Sequence, residues 1–86
     1  MPTIYIPPQM RDLTGGAERV AADGATLREV LRALDVAYPG IAARMIAGET
    51  LAPGMAVSID GAMTSRLLSA VRPESEIHFL PAIGGG

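Results

Sequence analysis

Apolar and polar positions change their spacing several times along the 86-residue chain, and each change marks an element. Thr3-Ile4-Tyr5-Ile6 is β-branched and alternating, which predicts a strand. Pro7-Pro8 ends it, because neither proline can donate to a ladder. Gln9 to Gly16 reads as an irregular crossing segment closing on the flexible turn Thr14-Gly15-Gly16. Ala17 to Ala22 then returns as a second strand around Val20, closed by Asp23-Gly24. The strongest local signal comes next. Thr26-Leu27-Arg28-Glu29 fits a capping box, with the Thr26 hydroxyl accepting from a first-turn amide and the Glu29 carboxylate reaching back to the Thr26 amide. Leu27, Val30, Leu31, Leu34 and Tyr38 recur at i, i+3, i+4, i+7 and i+11, one apolar helical stripe opposite Arg28, Glu29, Arg32 and Asp35. Pro39-Gly40 ends this helix, and Ile41 to Ile46 leaves room for one further apolar turn before Gly48.

Met55-Ala56-Val57-Ser58-Ile59 alternates as a strand. Asp60-Gly61 suits a two-residue hairpin turn, since both residue types tolerate positive φ, and Ala62-Met63 is the short return. Arg66 to Val71 is a connection expected to turn Leu67, Leu68 and Val71 inward, and Pro73-Glu74-Ser75 is a polar turn. Glu76 to Leu80 is the last strand, terminated by Pro81. The order is strand, strand, helix, strand, strand, strand. One apolar helix stripe against one sheet gives a two-layer α+β domain, and a first and a late strand lying side by side in parallel satisfy the right-handed crossover rule. That is the ubiquitin-like β-grasp arrangement, a mixed sheet on one main helix. It is expected to occupy residues 1–81 as a single domain, with 82–86 as a flexible glycine-rich tail.

Composition narrows the chemistry. A domain of this size buries only about 60–65% of its unfolded surface, so it needs a dense core or covalent staples. With no cysteine, disulfides, thiolate zinc sites and cysteine nucleophiles are excluded, and the 49% of hydrophobic residues must supply the core. A net charge of −2, with the arginines spread from Arg11 to Arg72, argues against nucleic acid as a partner. No stretch approaches the apolar length of a membrane span, and the first residues lack the basic start of a secretion signal, so a cytoplasmic protein is expected. Lysine is absent too, but so is asparagine, and GC-rich codon usage accounts for both.

Enzymatic constellations are not evident. His78 has Glu76 two residues away on the same strand face, a pairing able to form a general base, although such a histidine is more often just an exposed strand residue. No serine stands in a G-x-S-x-G turn, and Gly15-Gly16 lacks the spacing and lysine of a phosphate loop. Asp23, Glu49, Asp60, Glu74 and Glu76 are scattered as turn formers rather than gathered as metal ligands.

The unusual feature is the end, Leu80-Pro81-Ala82-Ile83-Gly84-Gly85-Gly86. Three glycines are costly to order and cannot pack, so mobility is the simplest expectation. Yet this tail leaves a core strand directly, and its six residues from Pro81 span at most about 20 Å when extended, enough to thread a narrow channel that only glycine fits.

These residues resemble the ThiS/MoaD-like sulfur carriers, in particular the CysO-like and longer MoaD-like branch. The resemblance rests on Ile6-Pro7, Met10-Arg11, Thr14-Gly15-Gly16, Val20, Gly24, Thr26-Leu27, Tyr38-Pro39-Gly40-Ile41, Arg44, Ile59-Asp60-Gly61 and Leu80-Pro81-Ala82-Ile83 with Gly85-Gly86. Gly84 departs from the Ala or Ser usual there, and Gly61 to Ser75 is shorter and more divergent. The resemblance implies a co-substrate rather than a catalyst, with no catalytic residue, metal or bound cofactor of its own. The Gly86 carboxylate would be adenylated by a ubiquitin-activating-like adenylyltransferase using ATP and Mg, then converted by a sulfur donor to a thiocarboxylate. Pro81, Ala82, Ile83, Gly84 and Gly85 would form the segment threaded into partners, and the sheet face flanking the tail, led by Leu80, would dock them. Leu80 packing beneath the Gln9 to Gly16 segment is the competing expectation.

The acceptor implied is a cysteine synthase-like enzyme of cysteine biosynthesis or a related pathway, with the molybdopterin synthase large subunit of molybdenum cofactor biosynthesis as the alternative. Two other classes stay open: a ubiquitin-like modifier linked through Gly86 to target lysines, and a β-grasp binding module whose tail has no chemistry.

Overall fold

A computed structural model describes residues 1–81. In chain order the elements are β1 (Thr3–Tyr5), a short 3-10 turn (Pro8–Met10), β2 (Arg19–Ala21), α1 (Leu27–Ala37), α2 (Ile41–Met45), β3 (Ile46–Ala47), β4 (Thr50–Leu51), β5 (Met55–Ile59), β6 (Ala62–Thr64) and β7 (Glu76–Pro81). Five strands make one mixed sheet in the order β2-β1-β7-β5-β6, and β3 and β4 form a separate small hairpin. The first and last strands lie in parallel, with Ile4 opposite Ile77, while β7 runs antiparallel to β5. This is the ubiquitin-like β-grasp expected from the element order.

The helix stripe and one face of the sheet make the core. Leu27, Val30, Leu31 and Leu34 of α1 are fully buried and belong to one cluster with Ile4, Val57, Ile77 and Phe79. Burying each such side chain is worth roughly 1.5–3 kcal/mol, and with no staple available this cluster is the main source of stability. Thr26 caps α1, its hydroxyl accepting from the Glu29 amide at 3.3 Å. The reciprocal half of the box differs from expectation: Glu29 Oε1 accepts from the Ala25 amide at 3.0 Å, not from Thr26. The backbone explains the shift, because Thr26 is bridged to Ala70 and its neighbours Ala25 and Leu27 bond to Val71 and Ser69. Gly24 enters this crowded turn so closely that a Cβ there would lie 2.5 Å from the Val30 nitrogen.

The residues of the family resemblance between 10 and 44 are largely architectural. Gly15 and Gly16 take φ of +65° and +92°, which only glycine adopts freely, and the Gly16 amide donates to the Arg11 carbonyl at 2.8 Å. Arg44 donates to both carboxylate oxygens of Asp12 and to the Gln9 carbonyl, tying α2 to the crossing segment. Asp35 of α1 accepts from the amides of Gly40 and Ala42, capping α2.

Two further expectations are corrected. The β3–β4 hairpin was not foreseen, its two-residue strands being too short to show any alternation. Leu68 is not turned inward: it is 70% exposed, while Leu67 and Val71 are buried, because Leu67 and Leu68 are the two central residues of a turn in which the Ser69 amide donates to the Arg66 carbonyl at 3.1 Å, and such a turn points one of them outward. β7 ends at Pro81 as expected, with the proline itself as its last residue, opposite Met55; at a strand end its missing N–H interrupts no interior ladder.

Candidate functional site

The last strand, β7, is the central strand of the sheet. β7 is flanked by β1 as far as His78, opposite Tyr5, and by β5 as far as Pro81, opposite Met55. Whatever follows Pro81 therefore starts from a strand anchored on a core that includes Ile77 and Phe79. Of the expected threading segment, Pro81 is still part of β7, paired opposite Met55, while Ala82, Ile83, Gly84 and Gly85, with the reactive Gly86, lie outside the described residues.

The start of β7 is fastened at the β5–β6 turn. Asp60 and Gly61 both take positive φ, +52° and +88°, as the two-residue turn requires. Asp60 then does more than turn the chain. Its Oδ2 accepts from the Ser75 hydroxyl at 2.7 Å and faces the Arg72 guanidinium at 3.5 Å, and its Oδ1 accepts from the Glu76 amide at 2.9 Å. The Ser75 hydroxyl, the Glu76 amide and, less strongly, Arg72 hold the Asp60 carboxyl below its ordinary value of 3.8.

Strand alternation sends Ile77 and Phe79 into the core and His78 and Leu80 to the open face. The register assembles a row across that face: Arg19, Tyr5, His78, Ser58 and Met63, one residue from each of the five strands. Ala56 and Leu80 form the next pair toward the tail. Tyr5 and His78 stack face to face, with ring centroids 4.1 Å apart and planes 5° from parallel. Met63 is 61% exposed and Leu80 42%, so this face offers apolar surface around a stacked aromatic pair. Leu80 thus lies on the open face and not in the buried set. His78 Nε2 stands 3.9 Å from Glu76 Oε1, so the pair foreseen from the sequence is formed, but on an exposed surface.

Tyr5 and Met63 were not singled out from the sequence. Their alternation within β1 and β6 was a usable signal, but only the strand order brings them beside His78 and Leu80. Among the described residues no group of three or more His, Asp or Glu side chains is placed to hold a metal ion. None of their helices is long and apolar enough to cross a membrane.

Comparison with known proteins agrees with this anatomy. The sulfur carrier protein CysO of Mycobacterium tuberculosis is 33% identical over 92 residues, a match covering 98% of this chain and 97% of that protein. Among solved structures, a chain of the Amycolatopsis orientalis BexX/CysO complex superposes with a TM-score of 0.90 at 30% identity, covering 100% of both chains. SAMP1 from Haloferax volcanii superposes with a TM-score of 0.73 at 25% identity, covering 99% of this chain and 98% of that one. Residues 4–86 match the ThiS family from the first strand through the final glycine, and with the β-grasp topology in place the chain belongs to that family.

Proposed function

We propose that the protein is a sulfur carrier that bears sulfur as a thiocarboxylate on Gly86. The observation that carries this reading is the extent of the family match, which runs through β7 and the whole tail to the terminal glycine. A free terminal carboxylate has a pKa near 3.3–3.7 and is anionic at pH 7, so it resists nucleophiles until one oxygen becomes a leaving group. A carboxylate oxygen of Gly86 attacks the α-phosphorus of ATP on an activating enzyme, supported by that enzyme's Mg, and pyrophosphate leaves. Sulfide then attacks the acyl carbon, the bond to the adenylate oxygen breaks, AMP departs and a proton is released. The product is the Gly86 thiocarboxylate.

This chain supplies presentation, not catalysis. A tail springing from an anchored central strand starts at a defined point, and glycines offer no side chain to clash in a narrow active-site channel. The absence of cysteine means that no internal thiol can intercept the activated acyl group. The open face around Tyr5, His78 and Leu80 is the docking surface in this reading. The similarity to CysO favours a cysteine synthase-like acceptor over a molybdopterin synthase large subunit.

Adenylation is tested by ATP–pyrophosphate exchange with the cognate activating enzyme. Exchange should depend on the intact chain and disappear when Gly86 is removed, with the circular dichroism unchanged. Equal exchange with the truncated chain would refute the assignment.

A further inference from the structure

Two adjoining grooves, about 450 and 440 Å³, lie on the helical side of the sheet, where α1, the β3–β4 hairpin and the segment after β6 meet. They share Arg28 and Glu49; Arg66 and Leu68 line the first, and Arg32 the second. The arginine distribution singles this place out. Of the seven, Arg11 donates to the Ile6 carbonyl, Arg44 is paired with Asp12, and Arg72 with Asp60. Three of the other four converge here, and among the described residues none of them forms an ion pair. A chain of net charge −2 thus lines these two adjoining grooves with three arginines and a single acidic residue.

The walls are fixed by backbone bonds. The Leu27 and Arg28 amides donate to the Ser69 and Leu67 carbonyls at 3.0 and 2.8 Å, and Thr50 is bridged to Arg66. Those bonds also decide what fits. With the Leu27 and Arg28 amides committed to carbonyls and the Glu29 amide to the Thr26 hydroxyl, the start of α1 offers no cradle of free N–H groups for a phosphate. The guanidinium groups remain for carboxylates, which they bind in bidentate geometry, and Leu68, 70% exposed, lines the first groove with Arg28 and Arg66 and offers a contact to an apolar side chain.

We propose that this groove docks an acidic segment of a partner protein, its carboxylates pairing with Arg28, Arg32 and Arg66 and an apolar side chain covering Leu68. Because the groove belongs to the helical layer, its occupation leaves the Tyr5–His78 face open, and two partners can hold the chain at once. Attraction of this kind acts mainly through encounter rate and selectivity.

The test is an amide-shift NMR titration of the full ¹⁵N-labelled chain with an acetylated hexapeptide of sequence DELLED, alongside the basic hexapeptide KKLLKK and inorganic pyrophosphate. DELLED should move the amides of Arg28, Arg32, Glu49, Arg66 and Leu68, and bind roughly tenfold more weakly when ionic strength rises from about 0.02 to 0.15 M. Arg66→Glu and, separately, Leu68→Ser, both on exposed positions, should each reduce the response while leaving the remaining spectrum in place. The proposal is overturned by no response to DELLED, by shifts located elsewhere, by an equal response to KKLLKK, by pyrophosphate binding more tightly in the groove, or by an unaffected Arg66→Glu variant. None of these readouts depends on sulfur chemistry.

Discussion

Tyr5 and His78 stack at 4.1 Å across the parallel strand pair β1–β7, two positions before the exposed Leu80. Their strands come from opposite ends of the chain, so the stack forms only once the β-grasp crossover has closed. It places a flat aromatic surface next to the segment leading into the tail. Interfaces concentrate their energy in such aromatic and apolar anchors, which sets the first expectation.

Leu80→Glu puts a charge on this face without touching the core. The apparent KM for the activating enzyme should rise about tenfold or more, with kcat and the unfolding midpoint little changed, because exposed substitutions seldom move stability beyond about 0.5 kcal/mol. Steady-state adenylation kinetics beside thermal unfolding check it. An unchanged KM would remove Leu80 from the docking surface.

Gly24→Ala introduces a Cβ 2.5 Å from the Val30 backbone nitrogen, where no flexible side chain can yield. Overpacking of this kind costs about 1–3 kcal/mol, and urea unfolding should show it as a lower midpoint with an unchanged slope. A midpoint equal to that of the parent would mean that the turn before α1 relaxes freely.

Asp60 predicts a pH dependence with a definite sign. Its folded pKa is depressed, so its contribution to stability is complete above the ordinary value of 3.8 and is lost as pH falls through the lower folded value. Asp60→Asn should therefore lower the unfolding midpoint at neutral pH, and the gap between the variant and the parent should narrow below about pH 4. Thermal melts between pH 7 and pH 2 measure it. A gap that stays constant or widens on acidification would contradict the role of the ionised carboxylate.

Local features were legible in the sequence where one residue determines one interaction. Thr26 announces the helix start, Asp60-Gly61 announces the turn, and the Leu27 to Tyr38 stripe announces a helix that needs a sheet beneath it. The parallel pairing of β1 and β7 followed from element order and handedness. Features that depend on distant partners were not legible. Asp60 reads as a turn former until the fold brings Arg72, Ser75 and Glu76 to it, and Arg28, Arg32 and Arg66 are ordinary surface residues until the β3–β4 hairpin completes their groove. Leu68 departs from expectation for a related reason: it shares the centre of the Arg66–Ser69 turn with Leu67, and apolar character alone does not tell which of two adjacent turn residues is exposed.

The central claim is that Gly86 carries sulfur. Intact-mass spectrometry of the full chain after incubation with its cognate activating enzyme, ATP, Mg and sulfide tests it most directly. The account predicts a mass gain equal to one oxygen-to-sulfur exchange, located in the C-terminal peptide and lost when Gly86 is deleted. An unchanged mass with an activating enzyme that demonstrably turns over ATP in the presence of the chain would contradict it.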